Sequence, residues 1–217
     1  MTEKSTVMGR RRSAANKDSR ASYKARRTEI CEAAIKVFNQ QGFVGASLSQ
    51  VAKEIGIDRA TLYYYFSSKE QLFDDIVGAV LEKNHALARK IAESKMVPQR
   101  KMRELVTAMM TSYGETYPLM YIYIREDLRK VGENRSEWSN RMKRLNKGIE
   151  QAFIEIIEQG QADRSFRKIG SARTVAYGIL GMLNWTHRWH RPGTGETTEE
   201  IGRTFAEVVL MGLESPF

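Results

Sequence analysis

From about residue 24 onward, apolar side chains recur at spacings of three and four, the period of helices with one buried face. Ile30, Ala33, Ala34, Val37 and Phe38 form one such stripe, and Gly42 follows where a left-handed stop is expected. Ser47, with Gln50 three residues on, is a reciprocal capping pattern that opens a second helix striped by Leu48, Val51, Ala52 and Ile55. Gly56 ends it. Asp58 can cap a short third helix reaching Phe66, and Ser68 with Gln71 repeats the capping pattern ahead of a long helix carrying Leu72, Ile76 and Val80. Five more helices are predicted at about 98–115, 117–131, 136–159, 171–188 and 198–213. Pro98 and Pro118 suit first helical turns, where a missing amide donor costs nothing. Gly160 with the segment 163–170, and then Arg191 to Gly195, act as breaks, and Thr197 with Glu200 caps the last helix. No alternating run long enough for a strand is present, nor any repeat. The predicted fold is all-α: a basic arm over 1–23, a three-helix domain over 24–68, and a larger helical domain over 69–217.

Composition narrows the class. The chain has 217 residues, 41% apolar and 28% charged, which excludes fibrous and extensively disordered proteins. No stretch approaches the roughly 20 uncharged apolar residues of a membrane span, and the basic N-terminus lacks a secretory apolar run, so a cytoplasmic protein with no membrane partner is expected. Cys31 stands alone, and with three histidines it leaves little for a structural metal site, so neither metal nor cofactor is expected. The net charge of +9 is concentrated: residues 1–28 hold nine basic side chains against two acidic ones. The arm has almost no large apolar residue before Tyr23 and is expected to be disordered when free. Such an arm gains counterion-release energy along a polyanion; a solubilising tail is the alternative reading.

Helices two and three are joined by Gly56–Ile57–Asp58, the spacing of a DNA-binding helix-turn-helix whose second helix enters the major groove. In that helix Leu62 and Phe66 lie one turn apart and can anchor it inside. Arg59, Ala60, Thr61, Tyr64 and Tyr65 then face outward: a guanidinium for guanine edges, a methyl and a hydroxyl for thymine, and phenols for phosphates.

The stretch Gly42–Phe43, Ser47–Leu48, Val51–Ala52, Ile55–Gly56–Ile57, Thr61–Leu62–Tyr63–Tyr64–Tyr65–Phe66 and Ser68–Lys69–Glu70–Gln71–Leu72 resembles the N-terminal signature of TetR-type transcriptional regulators. The resemblance covers about residues 24–73. It implies that Tyr63, Tyr64, Tyr65 and Lys69 touch phosphates or base edges and that Ser47 meets a phosphate. Lys69 at a helix start is expected to share an anion site with backbone amides. Asp58 stands where many relatives have serine, which keeps the cap and adds negative charge. Residues 29–66 carry three basic and four acidic side chains, so affinity is expected to lean on the arm.

Two helices of the second domain carry apolar and small residues that suit either ordinary core or a homodimer interface: Ala172, Val175, Ala176, Gly178, Ile179, Gly181, Met182 and Leu183 on one; Ile201, Phe205, Val208, Val209 and Leu213 on the other. The TetR resemblance implies pairing through these helices, about 171–188 and 198–213, and hence a roughly palindromic double-stranded operator. Between them, Trp185 and Trp189 are one helical turn apart and flanked by Arg188 and Arg191, a set suited to a flat or anionic ligand; the alternative is that the tryptophans plug the core or the dimer seam. The Trp–His–Arg–Pro–Gly ending resembles a TetR branch controlling fatty-acid or steroid-ring breakdown, which implies an acyl-CoA ester as the small-molecule inducer. Tyr117, Tyr121, Ile124, Arg125 and Asp127 form a second candidate ligand cluster, with Tyr121 and Arg125 one turn apart; Arg125 paired with Glu126 or Asp127 at the surface is the alternative. Met109, Met110, Met120 and Met142 can line an adaptable cavity or simply fill the core. His187 and His190 lack a neighbouring carboxylate or cysteine to complete a metal site. No nucleophile elbow, P-loop, dinucleotide fingerprint or H-E-x-x-H is present, and adjacent carboxylates such as Asp74–Asp75 diverge along a helix. The expectation is a non-enzymatic, ligand-responsive repressor; a DNA-architectural protein without a ligand and a small helical enzyme are the alternatives.

Overall fold

The computed structural model describes residues 3–125 and 136–214, with side chains from Arg20 onward apart from Arg125, Ser136 and Ser139. Among these residues the fold is all-α, with no strand. The helices are α1 (Glu3–Gly45), α2 (Leu48–Glu54), α3 (Arg59–Tyr65), α4 (Lys69–Ala92), α5 (Pro98–Glu115), α6 (Leu119–Arg125), α7 (Ser136–Ala162), α8 (Ala172–Trp185) and α9 (Thr198–Leu213); a 3-10 turn, Thr186–Arg188, follows α8. The expected reach of the sixth helix to residue 131 lies outside the described residues.

The chain divides into two compact units, the first ending at Leu72. In the first, the stripe Ile30, Ala33, Ala34, Val37 and Phe38 is buried, together with Leu48, Val51, Ala52, Leu62 and Phe66. Burying each of the larger side chains stabilises the unit by about 1.5–3 kcal/mol. Ile55, assigned to the buried stripe from sequence, is instead the C-cap of α2 and half-buried. Gly42 takes φ +70° and bends α1 there, which spares any other residue a left-handed backbone. The helix runs back to Glu3, so the arm expected to lack structure has a helical backbone. That segment contains no proline and is rich in alanine, lysine and arginine, all good helix formers.

In the second unit α4 buries Phe73, Ile76, Val77 and Leu81, while Val80 is only half-buried. The most extensive helix pairing is α5 with α9. It is close because Gly202 has no side chain: a Cβ there would sit 2.9 Å from Met110 Cβ and 3.0 Å from Thr107 Cα. Gly160, read from sequence as a helix break, lies within α7. Its lack of a side chain makes room for the ring of Phe166, which folds back from the α7–α8 loop. Arg164, at φ +66°, reverses the chain there.

Candidate nucleic-acid interface and ligand chamber

α3 is fixed from within and open outside. Leu62 and Phe66 are fully buried, and Phe66 N–H closes the helix on Leu62 O at 3.0 Å. Asp58 caps the start: its carboxylate accepts from Thr61 N–H at 2.8 Å and from the Thr61 hydroxyl at 2.5 Å. These two bonds hold the Asp58 carboxyl below its usual range, the side-chain bond contributing most. The outward face carries Arg59, Ala60, Thr61, Tyr63 and Tyr64, all exposed, with Tyr64 at 74%. Arg59 donates to the Tyr63 hydroxyl at 3.0 Å and lies over its ring, so the guanidinium is aimed along the helix.

Tyr65 is half-buried because Tyr23 of α1 stacks on it, and Tyr64 meets both rings edge-on. Arg27 donates to Tyr65 O at 3.0 Å and covers Phe66 at 4.2 Å. Ser47 is exposed at the start of α2, its hydroxyl held to Gln50 in the expected capping box. Ser68 caps α4 by accepting from Gln71 N–H at 3.1 Å, but the Gln71 side chain closes on Ser67 rather than on Ser68. Lys69 departs from the sequence reading. Its ammonium donates to Phe43 O (2.8 Å), Ala46 O (3.0 Å) and Val44 O (3.3 Å) and sits 4.7 Å from the Phe43 ring centroid. Its three N–H donors are matched to carbonyls at and just beyond the end of α1, so Lys69 clasps the fold in this structure.

The tryptophans do not share one helical face. α8 ends at Trp185, and the 3-10 turn alters the register. Trp185 (58% exposed) carries Arg188 over its ring at 5.3 Å, whereas Trp189 (50% exposed) leans edge-on against Phe205 of α9. Arg191 donates to His190 O at 2.9 Å. Arg188, Arg191, His187 and Ile124 wall a recess of about 520 Å³. Tyr121 is buried, not ligand-facing: its hydroxyl meets His190 Nδ1 at 3.3 Å, and His190 Nε2 meets Glu196 O at 3.1 Å. Burial raises the Tyr121 phenol above its ordinary value. The side chain of Arg125, with Glu126 and Asp127, lies outside the described residues.

A second chamber, about 290 Å³, shares the wall at Ile124. Met109 and Met120 line it, as expected of the methionines, while Met110 packs under Gly202 and Met142 beside Gly78. Its polar lining was not foreseen: Asn84, Asn146 and Asn184 with Tyr113 and Tyr123. The Tyr113 hydroxyl donates to Asn184 Oδ1 at 2.7 Å, and Asn146 Nδ2 donates to the Tyr123 oxygen at 2.6 Å. Burial drives both phenols up.

The candidate dimer helices each divide into two faces. Ala172, Ala176, Ile179, Leu183, Ile201, Val209 and Leu213 are core. Gly178, Gly181, Val208 and Met211 are exposed, and Val175, Met182 and Phe205 half-buried.

With this geometry in place, two family models match the chain: residues 30–76 fit the model for bacterial regulatory proteins of the tetR family, and residues 96–213 the tetracyclin repressor-like C-terminal domain. The chain belongs to the TetR family. It is a helix-turn-helix transcriptional regulator. This TetR protein is 27% identical to the HTH-type transcriptional repressor KstR2 of Rhodococcus jostii over 92% of its own length and 96% of the relative's. It shares the fold of the ketosteroid regulator KstR2 of Mycobacterium tuberculosis (TM-score 0.75, 23% identity, 88% and 95% covered). The same holds for FadR of Bacillus subtilis, solved with stearoyl-CoA (TM-score 0.67, 16% identity, 85% and 98% covered). No helix among the described residues is long and apolar enough to cross a membrane.

Sequence reasoning missed Tyr23 and Arg27 as parts of the DNA-facing unit of this TetR protein. The signal was there: Tyr23 is the first aromatic after the arm, and Arg27 lies four residues on, one helical turn away.

Proposed function

We propose that this protein is a homodimeric repressor that leaves a palindromic DNA operator when an acyl-CoA ester binds its second unit. The observation that carries the DNA half is the exposed flank of α3: Thr61, Tyr63 and Tyr64 stand clear of the fold while Leu62 and Phe66 pin the helix. Arg59 and Thr61 supply base-edge contacts, and the tyrosines and Ser47 supply phosphate contacts. A second copy of the chain covers the apolar face of Val175, Gly178 and Met182 on α8 and Val208, Met211 and Gly212 on α9, where a shallow groove of about 280 Å³ offers a seat. The two glycines have open space above them, so a partner helix can approach the backbone.

For the inducer, the recess of His187, Arg188 and Arg191 supplies cationic donors for phosphates, and the chamber across Ile124, of mixed polar and apolar lining, receives the acyl group. That FadR of this fold was solved with stearoyl-CoA supports an acyl-CoA ester as the inducer. α4 is one helix from Lys69 to Ala92, so a displacement of α4 reaches the DNA-reading unit through the Lys69 clasp on α1. The inducer shifts the equilibrium only by its differential affinity for the two states.

The test is a mobility-shift titration on the DNA upstream of the protein's own gene, with and without coenzyme A esters of varied acyl size. Wild type is expected to bind, Tyr64→Ala to lose at least tenfold in affinity with the dimer mass unchanged, and an ester to release the DNA. A joint Arg188→Ala, Arg191→Ala variant should need at least tenfold more ester. Release by free fatty acid at equal potency would remove coenzyme A from the proposal, and loss of the dimer in Tyr64→Ala would make that tyrosine structural.

A further inference from the structure

Thr61 stands on the exposed flank of α3, yet its hydroxyl is already taken. A hydroxyl carries one hydrogen, and that of Thr61 goes to Asp58 Oδ2 at 2.5 Å, while Thr61 N–H goes to Oδ1 at 2.8 Å. The paired bonds tie the cap to the first turn of α3 and hold the Thr61 side chain in one staggered rotamer. Asp58 is itself exposed, and the same bonds hold its carboxyl below the ordinary range, so it is ionised at neutral pH and keeps its hold on the hydroxyl. With Oγ1 fixed on the cap, the heavy atom that Thr61 has left for a ligand is its methyl carbon.

That assignment of atoms decides what Thr61 can meet on DNA. To donate to a phosphate, it would have to withdraw its hydrogen from one anion to offer it to another, beside a carboxylate that repels the newcomer. Polar reading of a base edge falls instead to Arg59, whose guanidinium is aimed by the Tyr63 hydroxyl at 3.0 Å and by the Tyr63 ring, 5.2 Å from its centroid. Among the groups that base pairs present in the major groove, the apolar one is the C5-methyl of thymine. A methyl set against any other base edge would cover a donor or acceptor without bonding it.

We propose that Thr61 reads a thymine through its methyl group alone, packed against the C5-methyl of that base, and that Asp58 is the positioning residue that sets this by taking the hydroxyl. The inference rests on the DNA-reading role of α3 given above and narrows it: Thr61 makes no hydrogen bond to DNA, and each half-site holds a thymine recognised by its methyl.

The experiment uses the full chain and a duplex selected by wild type from a random pool, with each thymine exchanged singly for uracil, a change that removes only the C5-methyl. At one thymine of each half-site wild type should lose about fourfold in affinity, the contribution of one buried methyl group. Thr61→Ser, which keeps the hydroxyl for Asp58 and lacks the methyl, should bind the thymine and uracil duplexes equally. Thr61→Val, both of whose branches are methyl, should keep the wild-type ratio. Asp58→Ala frees the hydroxyl and should lower the ratio; adding Asp58→Ala to Thr61→Val should bring it back, a rescue that a merely structural cap would not show. A wild type indifferent to every exchange, a ratio that survives in Thr61→Ser, or a ratio lost in a folded Thr61→Val overturns the assignment. A ratio unchanged in Asp58→Ala overturns the positioning role. Failure to enrich any duplex from the pool sinks the DNA-reading role of α3 itself, whereas enrichment without methyl dependence sinks the Thr61 assignment alone.

Discussion

Tyr23 lies almost flat on Tyr65, ring centroids 4.9 Å apart and planes 29° apart. The contact makes α1 a supporting wall for α3, and the Tyr65 ring is held by it rather than by the hydrophobic core. Aromatic pairs of this kind contribute about 0.5–1.5 kcal/mol beyond area burial. Tyr23→Ala is therefore expected to lower the unfolding free energy from a urea titration by at least about that amount and to weaken operator binding, with Tyr23→Phe close to wild type in stability. An unchanged melt in Tyr23→Ala would mean that the stacking adds nothing.

Lys69→Met separates clasp from phosphate contact. Removing the ammonium leaves the carbonyls of Phe43, Val44 and Ala46 without that donor, at a cost of about 1–3 kcal/mol. The melting temperature should fall while the slope of operator affinity against salt stays as in wild type. A slope reduced by about one would show a phosphate contact instead.

Gly160→Ala should destabilise by about 1–3 kcal/mol, because the new methyl meets the Phe166 ring in a packed layer. Gly178→Ala, on the open face of α8 with nothing within 4 Å of its Cβ, should leave the stability of an isolated protomer unchanged or improve it. Equal losses in both, by chemical denaturation, would contradict this account.

The Asp58 cap predicts a pH signature. Its carboxyl is held below the ordinary value by Thr61, so the folded state prefers it ionised. The cap's contribution is complete above the unfolded carboxylate pKa of about 3.9 and is lost as pH falls through the lower folded value. Asp58→Asn should be less stable than wild type at pH 7, and the gap should close as the solution is acidified below about pH 4, followed by circular dichroism. A gap that is constant across this range would show that the carboxylate's charge is not what caps α3.

Deleting residues 1–22 removes six of the chain's basic side chains along with two acidic ones. If they follow phosphates, affinity falls and the log–log salt slope flattens by several units. An unchanged slope would leave the arm without a role on DNA.

Helix positions and caps were legible in the sequence because each is written locally. Pro98 opens α5, Thr197 and Glu200 close a reciprocal box on α9, and Asp58 caps α3. Arg59, Ala60, Thr61 and Tyr64 on the outward flank of α3 were legible too, since two buried anchors one turn apart set the facing, but Tyr65, read as outward, is half-buried under Tyr23, and Tyr63 is exposed. What failed depended on contacts between distant segments. Lys69 reads as a cation at a helix start until the end of α1, some 25 residues away, supplies the carbonyls that take it. Trp185 and Trp189 read as one face until the helix stops between them. Asn84, Asn146 and Asn184 are unremarkable on their own helices and meet only after α4, α7 and α8 have packed.

Gly202 sets α9 against α5 at a separation no larger residue permits, and α5 also supplies Met109 and Tyr113 to the chamber. The outer side of α9 carries Val208 and Met211, where a second copy would seat. A ligand in the chamber and a second copy on α9 would thus bear on the same closely packed pair of helices, and if one shifts the other's equilibrium, reciprocity makes the two effects equal. Diluting the protein until its copies part should change how strongly it holds its small molecule, with no alteration to the residues that touch that molecule.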